Sequence, residues 1–592
     1  MKKILFISLS FILVLMAACK DDFLDRSPQT SITTQNFFTS VSDLQTYTWQ
    51  FYDFWGPTYW DIPSDNTTFE KGSIKSLLLG SVTPDNIGGW DWKQLRTINY
   101  FLNNYHRATG DPLSINHYGA MGRFARAKFY IGMVKTYSDV PWYSKDLSTT
   151  AKDLYKGRDT REMVVDSIIS DLEFASKNLF DISHKTLLSK WVAYAELSRF
   201  CLYEGSYRKY HTGEKDLHVT KTSDYFFNKA ITASEAIMGS GKFSISNTGK
   251  PAEDYANLFN GGTDLNANSE IMMFTHYEKG KRTNGTELVL QFQNGISRTM
   301  ADTYLYADGT FVPKSVTDTL RYEQFFTNRD IRLKQSIEFP GYIQPNEAPT
   351  AHKLPISKTA GYGQIKFMPK VKGSNWDGYM TCTTDLPLYR YAEVLLNEAE
   401  AKAELGTLTQ TDLNNTINKL RARAAMPNLQ MAPPVDPVLA ALYFNVSSSQ
   451  KAEILEIRRE RNVELFAEGF RYDDLMRWKL GKIFELPQQG IYVPASGFVD
   501  YNNDGIPDYF ITNDASKVPA NITTTYPGIT VDNTSNSGLS YYLEFGDHGH
   551  VMFKGEKNGL GTFIEPKYYY RPIPTSQIIL NSNLKQIFDW GL

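Results

Sequence analysis

Apolar residues recur at the 3.6-residue period of a helix through much of the chain. Residues 92–105 place Leu95, Ile98 and Leu102 on one face, and residues 161–178 do the same with Val164, Ile168, Leu172 and Ala175. The same reading predicts helices over 36–54, 118–137, 187–203 and 224–238, joined by short turns. Residues 59–93 read as loop. A succession of helices with short turns packs as helical hairpins, in the manner of a solenoid. No repeat of about 34 residues is visible, so tetratricopeptide-like packing rests on helix order alone.

Between 239 and 385 the pattern breaks. Gly, Asn, Pro and Thr increase, and 270–274 and 287–292 read as strands or irregular structure. Helical periodicity returns over 386–406 and 411–425, the second stopped by Pro427. Pro433, Pro434 and Pro437 mark a connector, and beyond 486 the chain reads as loops with short strands. The expected fold class is mainly α: tetratricopeptide-like hairpins packed against an irregular, loop-rich half with short strands.

The segment 451–482 reads as two helices joined at Gly469. Ile454, Ile457, Val463, Leu465 and Phe466 carry its apolar pattern, while Arg458, Arg461 and Glu464 recur at three-residue steps. After the glycine, Arg471, Asp474 and Trp478 again share a face. Such charges on half-buried faces predict an ion-pair network, with a solvated charged helix as the alternative on spacing alone. Structural pairing is the commoner use of such clusters, ahead of catalysis.

Composition narrows the function. The chain has 592 residues, 42% of them hydrophobic, enough for a large core or several domains. Lys+Arg 62 against Asp+Glu 65 leaves a net charge of −3, which argues against a basic nucleic-acid binder. The 36 Tyr and 10 Trp supply flat amphipathic surfaces of the kind sugar-binding proteins use, an aromatic-rich core being the alternative.

The N-terminus carries a targeting pattern. Lys2 and Lys3 precede an apolar run, 4–16, too short to span a bilayer. Met16-Ala17-Ala18-Cys19 resembles a bacterial lipobox, with Met16 where Leu is usual. Residues 1–18 are therefore expected to be a signal peptide, with Cys19 lipidated and holding the body at a membrane surface. Lys20-Asp21-Asp22 resembles an acidic surface-export signal. No later apolar stretch reaches 18 residues, so a soluble, tethered body is expected. Only Cys201 and Cys382 remain, too few for a disulfide framework, and the sequence leaves their pairing open.

Several motifs, in order, resemble the SusD/RagB family of surface lipoproteins of the Bacteroidetes. They are Cys19 to Asp25, Trp92-x₅-Ile98-Asn99-x-Phe101-Leu102, Tyr304-x-Tyr306-x-Asp308-Gly309 and Asn328-Arg329-Asp330-Ile331-Arg332. Arg390-Tyr391-Ala392-Glu393, Ile417-Asn418-x-Leu420-Arg421-x-Arg423-Ala424, the 458–478 segment and Tyr570-Arg571-Pro572-Ile573-Pro574 follow. Ile331 departs from the family's usual Pro. The resemblance implies one composite body, with a helical region over 19–240 and a second region over 241–592. It also implies an oligosaccharide ligand and a SusC-like TonB-dependent transporter over which the protein sits as a hinged lid. A minority of the family handles peptides, and its members bind without catalysis.

Sugar recognition needs aromatic faces against C–H surfaces and polar groups for hydroxyls. The loop-borne candidates are Trp60, Trp90, Trp376 and Tyr379, with Asp61, Arg96 and Asp377 as polar partners. A second candidate is a Ca²⁺ loop over 500–508, with Asp500, Asn502, Asp504, the Ile506 carbonyl and Asp508 at ligand spacing. Ile511 stands where an EF-hand has its bidentate Glu, and an Asp/Asn-rich turn bonding its own backbone is the alternative. Enzyme signatures (HExxH, GxSxG, a phosphate loop, a Cys/His cluster) are missing, His548-Gly549-His550 reads as a polar loop, and no carboxylate pair is selected. A binding protein is therefore expected, with a peptide-binding relative or a surface glycoside hydrolase as alternatives.

Overall fold

The computed structural model describes residues 37–68, 72–214, 219–289, 295–345, 354–370, 378–557 and 559–590. The expected signal peptide and Cys19 lie outside the described residues.

Helix α1 (Val41–Thr48) opens with a capping box in which Ser40 and Asp43 each bond the other's backbone N–H. The hairpin series follows: α2 (Lys93–Asn104), α3 (Pro112–Tyr137), α4 (Arg161–Asn178), α5 (Lys190–Tyr210) and α6 (Ser223–Met238). Helix α3 starts six residues before its apolar pattern does. Asp111 accepts from the N–H groups of Leu113 and Ser114, and Pro112 supplies a preset first turn. Each of α2 to α6 packs on the next. Helix α6 then packs on α7 (Tyr391–Leu405), and α7 on α8 (Lys451–Glu464). The chain between α6 and α7 is thus an excursion from a continuing helical stack.

Two strands close the base of that excursion. β1 (Ile271–Thr275) pairs antiparallel with β2 (Leu386–Arg390), Thr275 opposite Leu386 and Ile271 opposite Arg390. Here the structure corrects the expectation of one helix over 386–406: its first five residues are β2. The helix proper stops at Gly406, whose left-handed φ of 74° suits glycine. The helix expected over 411–425 is likewise broken at Thr416 (φ −122°, ψ −93°). The loop expected over 59–93 contains a helix, Gly72–Leu78, and the proline connector contains another, Pro437–Leu442, capped by Asp436.

Two large apolar cores form among the described residues, with two smaller clusters beside them, one under α1 and α2 around Phe38 and Phe101 and one around Leu305 and Met426. One large core fills the helical stack, and the other lies under the 239–385 excursion and the C-terminal strands. Helix α8 serves both: Ile454, Leu455 and Ile457 enter the first, while Val463 with Phe466 and Ala467 enter the second.

Arg458, Arg461 and Glu464 of α8 and Arg471 and Asp474 of α9 (Arg471–Arg477) are buried and paired, not solvated. Glu464 meets Arg332 at 3.0 Å, Arg390 at 2.6 Å and Arg423 at 2.5 Å. Burial pushes Glu464 up, but these three guanidiniums outweigh it and hold the carboxyl well below its usual range. Arg461 bonds Asp474 at 2.8 Å, and Arg477 bonds Glu400 at 2.5 Å. Arg458 pairs with Glu404 at 3.2 Å and lies 4.1 Å over the Trp478 ring. The joint also grips the N-terminal loop. Arg471 makes two 2.7 Å bonds to Asp65, and Asp61 accepts from the N–H groups of Ala467 and Gly469 at 2.9 and 3.1 Å.

Cys201 on α5 and Cys382 in the loop half are both buried free thiols.

Candidate functional site

The loop that α8 and α9 hold continues into Tyr59 and Trp60. Trp60 is 41% exposed, its ring leaning on Tyr59 at 4.5 Å between centroids. A second loop approaches from the excursion. There Asn284 and Cys382 exchange backbone hydrogen bonds, Thr283 donates to the Met380 carbonyl at 2.8 Å, and the Thr381 N–H donates to Glu287. The two loops meet over Gly285. A Cβ there would stand 2.8 Å from Met380 Sδ, which would have to shift, and 3.4 Å from Tyr59 Oη, an ordinary contact distance. Beside this contact, Tyr379 is 71% and Met380 45% exposed. Arg282, also exposed, lies 5.6 Å from the Tyr277 ring and lines a cavity with Trp49, Tyr52 and Trp55. Burial pushes the Glu287 carboxyl up.

The structure therefore divides the residues selected from sequence. Trp60 and Tyr379 flank the contact at Gly285. Asp61, expected to read sugar hydroxyls, is buried instead, its oxygens taken by Ala467, Gly469 and Asn66. It holds Trp60's loop in place, and this corrects its role. Trp90, expected on an exposed loop, is buried, edge-on to Trp92 at 5.3 Å and to Tyr137 at 4.9 Å. Arg96 is exposed and lines a separate cleft together with Trp90. Trp376 and Asp377 lie outside the described residues. Sequence reasoning missed Trp49, Tyr59 and Arg282. Tyr59 adjoins Trp60 and was within reach of the same argument; Trp49 and Arg282 gave no local sign of their exposure.

The 500–508 segment is the connection between β3 (Gly497–Val499) and β4 (Tyr509–Thr512), which pair antiparallel, with β5 (Thr530–Asn533) parallel to β4. Its oxygens bond its own backbone. Asp500 accepts from Asn503 and Gly505, Asn502 from Asp504, Asp504 from Ile506, and Asp508 from Tyr501. The Asx-turn alternative describes this geometry. Burial, then the charges of Asp500 and Asp504, push the Asp508 carboxyl up. Among the described residues, no group of three or more His, Cys, Asp or Glu is arranged to hold a metal. His550, read as part of a polar loop, is a buried strand residue whose Nδ1 pairs with Glu544 at 2.9 Å.

Comparison with known proteins assigns the family. A family model described as "SusD family" matches residues 242–590, and one described as "Starch-binding associating with outer membrane" matches residues 20–202. The chain belongs to the SusD family. Among curated proteins it is similar to SusD-like protein P38 of Formosa agariphila, 24% identical over 83% of this chain and 96% of that one. SusD-like protein P2 of the same organism is 22% identical over 81% and 91%. Among solved structures, a SusD-like carbohydrate-binding protein from Bacteroides fragilis superposes with a TM-score of 0.65. It is 19% identical and covers 93% of this chain and 100% of its own. A second SusD-like protein from that organism gives 0.62 at 18% identity, covering 95% and 99%. These neighbours share the fold, a mainly helical body with tetratricopeptide-like hairpins. Carbohydrate binding and outer-membrane association hold at the level of the family. No helix among the described residues is long and apolar enough to cross a membrane.

Proposed function

We propose that this protein is a cell-surface lipoprotein, anchored through Cys19, that binds an oligosaccharide and delivers it to a SusC-like TonB-dependent transporter in the outer membrane. The observation that carries the reading is the meeting of two loops at Gly285, each exposing an aromatic ring, Trp60 or Tyr379, beside the contact. Exposed rings on anchored loops suit sugar C–H faces, and Arg282 supplies a nearby charged donor. Binding proceeds without turnover in this reading. The buried carboxylates of the joint are engaged by arginines, which leaves them unsuited to general acid–base work. For the 500–508 loop the reading is a self-bonded turn, with calcium capture as the alternative to be tested.

A glycan array probed with the mature chain and with its Trp60→Ala/Tyr379→Ala variant tests it. Binding that is lost in the variant, with no new reducing ends, supports the proposal. Release of reducing ends identifies a hydrolase, and affinity for peptides but no glycan identifies a peptide-uptake relative. Palmitate labelling that disappears in Cys19→Ser tests the anchor. Co-purification with the barrel protein tests the partner.

A further inference from the structure

A second cleft opens between α2, residues 141–155 and the C-terminal helix α10 (Thr575–Leu580), and it shares no lining residue with the loops at Gly285. Its volume is about 480 Å³, within the range of small-molecule sites. Aromatic residues form much of its wall. Trp92 meets Tyr143 edge-on at 5.4 Å, and Tyr155 is 53% exposed.

Two acceptors in this wall receive no hydrogen bond, and for one of them, Asn99 Oδ1, no charged partner compensates. Asn99 is 1% exposed, and its Nδ2 donates to the carbonyls of Tyr143 and Lys145 at 2.8 and 3.3 Å. Both carbonyls can only accept, so the amide nitrogen belongs on their side and the oxygen on the other. That Oδ1 is buried and receives no hydrogen bond among the described residues. Asp146 stands beside it with a quarter of its side chain exposed, its Oδ1 receiving no hydrogen bond among the described residues but ion-paired with Arg96 Nε at 3.6 Å. Buried acceptors without donors are rare in folded proteins.

We propose that this cleft is a second binding site, independent of the loops at Gly285, for the end of a neutral saccharide. Sugar hydroxyls donate to Asn99 Oδ1 and Asp146 Oδ1, and a sugar C–H face rests on the aromatic wall. The wall's charges exclude other ligands. Lys93, Arg96 and Lys145 face Asp91 and Asp146, so an ammonium meets an excess of cations, and an anion meets two acceptors that can give it no proton. A neutral ligand rich in O–H donors with an apolar face satisfies both features. This inference uses none of the residues of the first site, so the two stand or fall separately.

The test uses the mature chain carrying Trp60→Ala/Tyr379→Ala, which silences the first site. Maltohexaose, cellohexaose, xylohexaose, mannohexaose and laminarihexaose are titrated by calorimetry, with hydrogen–deuterium exchange read over 141–155 and 575–584. At least one hexasaccharide is expected to protect both segments. Its affinity is expected to fall at least tenfold on adding Tyr155→Ala or Asp146→Ala, with Tm unchanged. Both residues lie on the 141–155 segment, outside the hairpin helices, so folding is retained. Asn99→Ala is avoided as the sole variant, because it also frees the 143–145 backbone. Failure of all five sugars to protect the segments overturns the proposal. So does affinity within twofold of the parent in both added variants, or protection by a casein tryptic digest and by no sugar.

Discussion

Around α8 and α9, carboxylates and guanidiniums are buried; around Gly285, aromatic rings face water. Each region inverts the ordinary preference of its side chains, and for different reasons. A buried ion pair adds little net stability over an apolar pair, because desolvation offsets the attraction. What it adds is intolerance of misplacement, since any other arrangement of Glu464, Arg332, Arg390 and Arg423 leaves a charge unpaired. The joint therefore specifies how the helical stack and the loop half sit together. The exposed rings of Trp60 and Tyr379 leave apolar area uncovered, and that area becomes binding energy only when a ligand arrives. The regions are linked, because Asp61 and Asp65 tie Trp60's loop to the joint. The charges hold an exposed aromatic loop in place while themselves staying buried.

The largest effect that separates the two regions is acidification. Glu464 and Asp474 in the joint, and Glu196 and Glu204 on α5, all have folded-state pKa values below their ordinary ones, Glu196 down to about 2. For Glu196, burial acts upward and Lys128 and Arg199 outweigh it. As pH falls from about 4.5, the unfolded chain takes up protons first, so this stability is complete above that pH and is lost as pH drops toward about 2. Urea midpoints should fall steadily through this window; a flat profile would mean that the buried ion pairs of α5 and the joint do not control stability. Next in size, Glu464→Ala leaves three buried arginines short of a partner and should cost about 3–5 kcal/mol by chemical denaturation. A loss under about 1 kcal/mol would place the joint among ordinary surface pairs.

Trp60→Ala/Tyr379→Ala should do the reverse. Stability should stay within about 0.5 kcal/mol, as at other exposed positions, while glycan affinity falls about tenfold or more, roughly 1.4 kcal/mol. Asp65→Ala sharpens the link between the regions: it should lower stability and binding together, measured on the same preparation. The smallest effect concerns the 500–508 loop. Its backbone bonds hold it without a cation, so EDTA should shift Tm by less than about 1 °C; a rise of several degrees with millimolar Ca²⁺, abolished in Asp504→Asn, would establish the cation site.

Much of the fold was legible where local and global signals agree. Helix α4 was placed to the residue, because Thr160 caps it and one apolar stripe runs its length. The 386–390 run was misread because Leu-Pro-Leu-Tyr-Arg suits a buried strand and a helix start equally, and its strand partner lies far away in sequence. At the site, Trp60 kept the exposure expected of it, whereas Trp90 did not. Gly89, directly before it, adopts φ 97°, so that the chain turns under Tyr137 and buries the ring. Asp61 looked like a free carboxylate because the N–H groups it accepts from are about four hundred residues downstream. Donors and acceptors supplied by backbone leave no trace in side-chain patterns.

The pairing of β1 with β2 has a consequence for how such proteins diversify. Because the strand pair fixes both ends of the excursion at the base of α7, the chain between them can lengthen or shorten at small entropic cost, without shifting the register of the helices. The excursion is a cassette clipped into a helical frame. One of the two loops proposed to face the ligand, with Arg282, Glu287 and Tyr379, lies inside the clip, and the other is tied to the frame. Exchanging residues 276–385 between relatives, with the clip retained, is therefore a direct way to move ligand preference from one frame to another.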